Sequence, residues 1–161
     1  MSKNSSLEEK IVSVLQEKGW QVTCAESCSG GMIASRLVNV AGVSDVFGES
    51  YVTYANSAKH RLLGVSEKTL EEYGAVSPQV AEQMARGAAG QAGAQAAIAV
   101  TGIAGPGGGT PEKPVGLVYI GCYVDGEVFV TRNYFQGSRM EIRTQTAEAA
   151  LSLLLDKLLV Q

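Results

Sequence analysis

The chain has 161 residues, of which 45% are hydrophobic and 18% charged, with a formal net charge of -3. That composition suits one domain, spanning residues 1–161, with a real core; it excludes intrinsic disorder, and its acidic balance argues against nucleic acid as a partner. Nothing in Met1–Lys10 resembles a secretory h-region, no apolar run is long enough to span a bilayer, and Cys24, Cys28 and Cys122 read as free thiols, so the expectation is a cytoplasmic protein without a membrane partner.

Ser6 and Glu9 have capping-box spacing ahead of Leu7, Ile11, Val14 and Leu15, which predicts a first helix closed by Gly19. Gln21–Ala25 reads as a short strand with Val22 and Cys24 on one face. It runs into the turn Glu26-Ser27-Cys28-Ser29-Gly30-Gly31, and Ile33, Leu37 and Val40 predict a helix after it. Phe47–Tyr54 is aromatic and β-branched, hence a predicted strand. Short helices are expected over Ser57–Leu63 and Ser66–Tyr73, closed by Gly64 and Gly74. Ser77-Pro78 opens a longer one with Val80, Ala81, Met84, Ala85 and Ala88 inward. Ala97–Thr101 is an apolar strand that ends in a glycine-rich run from Gly102 to Gly109. Val115–Val124 and Glu127–Phe135 form a predicted hairpin about Asp125-Gly126. Ser138 and Glu141 repeat the capping-box spacing before a last helix with Ile142, Thr146, Ala149, Ala150 and Leu153 inward. This order predicts an α/β fold with helices on both faces of a mixed sheet.

The single histidine, His60, sits in a polar stretch and reads as a surface residue, and Cys24 and Cys28 lack zinc-knuckle spacing, so no metal is expected. With one histidine and no Gly-x-Ser-x-Gly, a histidine triad is poorly supported. The glycine run lacks the Gly-Lys-Ser/Thr ending of a P-loop and the early βα placement of a dinucleotide fingerprint. What remains is a serine with a lysine. Ser27 stands at a strand end before a helix, where backbone N–H groups could meet an oxyanion, although a serine there is usually only an N-cap. Lys59 leaves the next strand shortly after Tyr54; it could act as a base only if its pKa were depressed, and the ordinary reading is a surface lysine. Ser57 is a rival nucleophile, but residues two apart on a helix do not face each other. The glycine run is either a surface loop or a cradle for phosphate or ribose. Arg139 and Arg143, four apart at a helix start, are solvated or meet an anionic ligand.

Four blocks in order carry a resemblance: Ala25-Glu26-Ser27-Cys28-Ser29-Gly30-Gly31; Val52-Thr53-Tyr54-Ala55-Asn56 with Lys59; Gly74-Ala75-Val76-Ser77; and Thr101-Gly102-Ile103-Ala104-Gly105-Pro106 with Gly107-Gly108-Gly109-Thr110. Lys113-Pro114-Val115-Gly116 follows. From about Gln21 onward the chain resembles the C-terminal domain of the competence/damage-inducible protein CinA, a domain that also occurs alone as a nicotinamide-nucleotide amidase. Ser29 stands where threonine is common in that family and keeps the hydroxyl. The resemblance implies a three-layer α/β/α sandwich and a homo-oligomer. It implies hydrolysis of nicotinamide mononucleotide, a small-molecule substrate, to nicotinic acid mononucleotide and ammonia in pyridine-nucleotide recycling, without a cofactor. It further implies Ser27, Tyr54 and Lys59 as catalytic residues, with Gly30, Gly31, Asn56, Thr101, Gly102, Gly105, Arg139 and Arg143 as binding positions. Larger members carry an additional N-terminal domain, whose activity is not expected here. The rival expectation is a non-catalytic module that binds pyridine nucleotides or proteins in the competence or DNA-damage response.

Overall fold

A computed structural model describes residues 4–161. Its strands are β1 (Val22–Glu26), β2 (Tyr51–Val52), β3 (Ala96–Gly102), β4 (Leu117–Val124) and β5 (Glu127–Tyr134). They form one sheet in the order β2-β1-β3-β4-β5, with β2, β1 and β3 parallel and β4 and β5 added antiparallel. The helices are α1 (Leu7–Lys18), α2 (Met32–Leu37), α3 (Asn56–Leu63), α4 (Glu67–Tyr73), α5 (Pro78–Ala92) and α6 (Arg139–Leu159). The sheet is mixed, as expected.

Strand alternation sorts the core into two layers. Val22, Cys24, Ile98, Val100, Ile120 and Cys122 meet Ile11 and Leu15 of α1, Ile33 and Leu37 of α2, and Leu151 and Leu154 of α6. On the other face Ala25, Ala97 and Ala99 meet Val80, Met84, Ala85 and Ala88 of α5, with Leu63 at the end of α3. That second face is built from small residues, so α5 lies close to the sheet. A Cβ at Gly121 would stand 2.5 Å from the Ala81 carbonyl oxygen, and one at Gly87 would stand 1.8 Å from that of Leu63. All five β1 residues are buried, as befits an interior parallel strand covered on both faces.

Local signals hold at most boundaries. The Ser6/Glu9 capping box is reciprocal, with Ser6 N–H donating to Glu9 at 2.7 Å and Glu9 N–H to Ser6 Oγ at 3.2 Å. Asp125 and Gly126 both adopt positive φ, 45° and 95°, the turn that matches strand twist. Three expectations need correction. At Ser138 only half of the box forms: Glu141 N–H donates to Ser138 Oγ, without the return bond. The helix expected to reach Val40 ends at Leu37, where Asn39 and Val40 donate to carbonyls three residues back and tighten the chain into turns. The strand expected over Phe47–Tyr54 pairs only at Tyr51–Val52, with one isolated bridge from Phe47 to Val22. Between them, side chains replace the ladder: Thr23 Oγ1 donates to the Glu49 carbonyl and Ser50 Oγ to that of Cys24.

Candidate active site

Because β2, β1 and β3 are parallel and adjacent, their carboxyl ends open at one edge of the sheet, where α/β folds place ligands. Ser27 follows β1, Thr53 and Tyr54 follow β2, and Gly102 closes β3. The three segments line one cleft of about 270 Å³, together with Cys28, Asn56, Lys59, Thr101, Gly105 and Arg139.

The chain reverses at Ser27 because Ser27 N–H still donates to Val100 as the last parallel rung, at 3.2 Å, while Gly30 N–H closes the turn on the Ser27 carbonyl at 3.1 Å. Glu26 is fully buried, and its carboxylate accepts from the N–H groups of Gly31, Ile33 and Ala34 at 3.1, 2.9 and 3.0 Å. It caps α2, whose own N-cap, Gly31, has no side chain to offer. The opposite side of the turn is held from α6, where Arg143 donates to the carbonyls of Cys28 and Ser29, both at 3.0 Å.

Lys59 sits in the second turn of α3 with its side chain directed inward, 1% exposed. Its Nζ lies 3.0 Å from Ser27 Oγ and donates to the carbonyls of Thr53 at 2.8 Å and Tyr54 at 3.2 Å. Burial pulls its pKa down from 10.5 to about 8. A neutral amine has two N–H bonds and one lone pair. With the two carbonyls taking the N–H bonds, the lone pair is left for the serine hydroxyl.

The remaining expected positions separate into two groups. Arg139 stands at the cleft mouth, bridging the Gly105 carbonyl at 2.8 Å and the Tyr54 hydroxyl at 3.0 Å. Tyr54 therefore meets Lys59 through its carbonyl and Arg139 through its phenol, which is 63% exposed with the rest of the residue. Thr101 is buried in the cleft wall and donates to the Ala75 carbonyl at 2.8 Å. Asn56 is exposed at the rim. Gly30 and Gly31 lie outside the cleft, in a separate depression with Met32, Arg36 and Thr144, and Arg143 is occupied by the two turn carbonyls. Ser57 and His60 face a different concavity beside Glu67 and Glu71 that contains neither Ser27 nor Lys59. His60 is exposed, with Nδ1 2.8 Å from the Val65 carbonyl oxygen.

Sequence reasoning missed the capping role of Glu26, which an acid directly before a Ser/Gly turn and an uncapped helix could have signalled. It also missed Cys28 as a cleft residue. Burial pushes that thiol up to about 11, so it stays protonated and is a poor nucleophile at neutral pH. No helix among the described residues is long and apolar enough to cross a membrane.

A mixed α/β sheet with a serine and a buried lysine at its parallel edge is what the fold and the site define. The chain belongs to the CinA C-terminal domain family, which matches residues 4–158. It is 52% identical over 146 residues to the nicotinamide-nucleotide amidohydrolase PncC of Enterobacter agglomerans, covering 90% of this chain and 89% of that protein. It is 51% identical over 146 residues to a CinA-like protein of Kosmotoga olearia, but that match covers only 35% of the relative. The chain thus spans about a third of the longer relatives. Among solved structures, the competence/damage inducible protein CihA from Agrobacterium tumefaciens has a TM-score of 0.89 at 44% identity, over 97% of this chain and 98% of that one. A CinA superfamily protein from Klebsiella pneumoniae has a TM-score of 0.92 at 33% identity, over 96% and 97%.

Proposed function

We propose that this chain is an amidohydrolase that cleaves the carboxamide of nicotinamide mononucleotide, releasing ammonia and nicotinic acid mononucleotide, with Ser27 as nucleophile and Lys59 as base. The observation that carries the reading is the buried Lys59 Nζ, 3.0 Å from Ser27 Oγ. The similarity to an amidohydrolase of nearly equal length supplies the substrate.

Neutral Lys59 takes the Ser27 hydroxyl proton as Oγ bonds to the amide carbon. The tetrahedral intermediate collapses with loss of the C–N bond, and protonated Lys59 gives the departing nitrogen its proton. Water then attacks the acyl carbon as Lys59 takes one of its protons; the C–Oγ bond breaks, Lys59 returns that proton to Ser27 Oγ, and the water oxygen leaves in the carboxylate. The carbonyls of Thr53 and Tyr54 hold the lysine in place through both steps and stabilise its charged form. The cationic pyridinium withdraws electrons from the amide and favours attack. Arg139, at the mouth and within reach of the glycine loop, is the arginine suited to the phosphate; Arg143 serves the nucleophile's turn. Tyr54 orients that arginine and shapes the mouth. This proposed activity suits pyridine-nucleotide recycling.

Ammonia release from nicotinamide mononucleotide, in the presence of a chelator, tests the reading on the wild type and Ser27→Ala. Activity confined to the wild type is expected. Equal activity in both would reduce Ser27 to a turn residue. Nucleotide binding without ammonia release by the wild type would replace the enzyme with a sensing module.

A further inference from the structure

An amide hydrolase needs donors for the oxyanion that forms when the serine attacks, and three N–H groups of the Ser27 turn, those of Ser27, Gly30 and Gly31, are already engaged. Ser27 N–H donates to Val100 and Gly30 N–H to Ser27. Gly31 N–H is held by the Glu26 carboxylate. The N–H groups of Gly30 and Gly31 therefore do not supply the hole.

The end of β3 offers another donor. Along an extended strand, alternate residues present N–H and C=O to the same edge. Val100 faces β1, because its carbonyl accepts from Ser27 N–H, whereas Ile103 faces β4, donating to Leu117 at 3.0 Å and accepting from Gly116 at 2.8 Å. Gly102, two residues beyond Val100, consequently directs its N–H toward β1. There β1 has already turned away, and the Ser27 carbonyl that a continued ladder would offer accepts from Gly30 instead. Gly102 and Ser27 line the same cleft.

We infer that the main-chain N–H of Gly102 is an oxyanion donor, placed beside the nucleophile because the parallel ladder stops one rung before it. The inference rests on Ser27 being the nucleophile. A side chain at position 102 is an unsuitable probe, since a Cβ would lie 2.6 Å from Val118 Cγ2 and 2.8 Å from the Leu117 carbonyl oxygen. The test replaces Gly102 by glycolate, exchanging the amide for an ester. The same exchange at Gly116, whose N–H is bound by Ile103, is the control. Loss of one such donor lowers kcat on the order of 100-fold or more. That loss, with KM little changed, is expected at Gly102 alone. In parallel, the 3-carbaldehyde analogue of the substrate is crystallised with the wild type. Its carbonyl carbon should bond to Ser27 Oγ, with the resulting oxygen accepting from Gly102 N–H. An adduct on Ser27 whose oxygen meets other donors, or equal losses at Gly102 and Gly116, would overturn the inference while leaving the nucleophile intact. An active enzyme that forms no adduct on Ser27 would overturn both.

Discussion

Replacing Lys59 by methionine separates a buried neutral amine from an ordinary surface lysine without reference to catalysis. The side chain is 1% exposed and its pKa falls from 10.5 to about 8. At about 1.4 kcal/mol per pH unit, that displacement corresponds to about 3 kcal/mol. Below about pH 8 both folded and unfolded chains hold the proton, and the folded state bears the full cost of the buried ammonium. Between about 8 and 10.5 the unfolded chain still holds a proton that the folded chain has released, so raising the pH favours folding. Lys59→Met has nothing to titrate there. The stability difference, wild type minus variant, should therefore move by about 2 kcal/mol in favour of the wild type between about pH 7 and about pH 9.5. Urea unfolding of both proteins at the two pH values measures it, and other titrating groups cancel in the difference. A difference unchanged with pH would mean that Lys59 titrates as in free solution, and the argument for a neutral base would fail.

The same depressed pKa predicts that kcat/KM for nicotinamide mononucleotide rises through about pH 8 and levels above it; a profile flat across that range would exclude Lys59 as the base. Arg139→Met should raise KM for the nucleotide about tenfold or more while leaving the corresponding riboside unaffected, because only the phosphate is lost as a partner; equal effects on both would deny a phosphate contact. Glu26→Gln leaves one oxygen to serve three N–H donors and should cost roughly 2–3 kcal/mol in urea unfolding. A cost near zero would mean that the capping carboxylate contributes little.

Much of the fold was legible because its signals are local. Ser6 with Glu9, Ser77 before Pro78, and Asp125-Gly126 each act within a few residues, through backbone groups that must be paired at a helix end or a turn that must match strand twist. The edge strand was overread: Phe47–Tyr54 has strand composition, but hydroxyls of Thr23 and Ser50 replaced ladder bonds that composition cannot foresee. At the site, residue types and motif order pointed to Ser27, Tyr54 and Lys59, which line one cleft, while Gly30 and Gly31, expected as binding positions, line a separate depression.

The sequence by itself determined the alternation of helices and strands, the hairpin, and the serine and lysine worth attention, since propensity, capping and turn chemistry operate over short spans. Only the tertiary structure decided that β1 lies between β2 and β3, and with it that Ser27 meets a lysine 32 positions away. It also decided that Lys59 is buried rather than solvated, that Arg139 reaches the mouth while Arg143 holds the turn, and that Glu26 occupies the start of α2. Those outcomes depend on which strands pair and which helix faces the sheet, and burial and pKa follow from that packing.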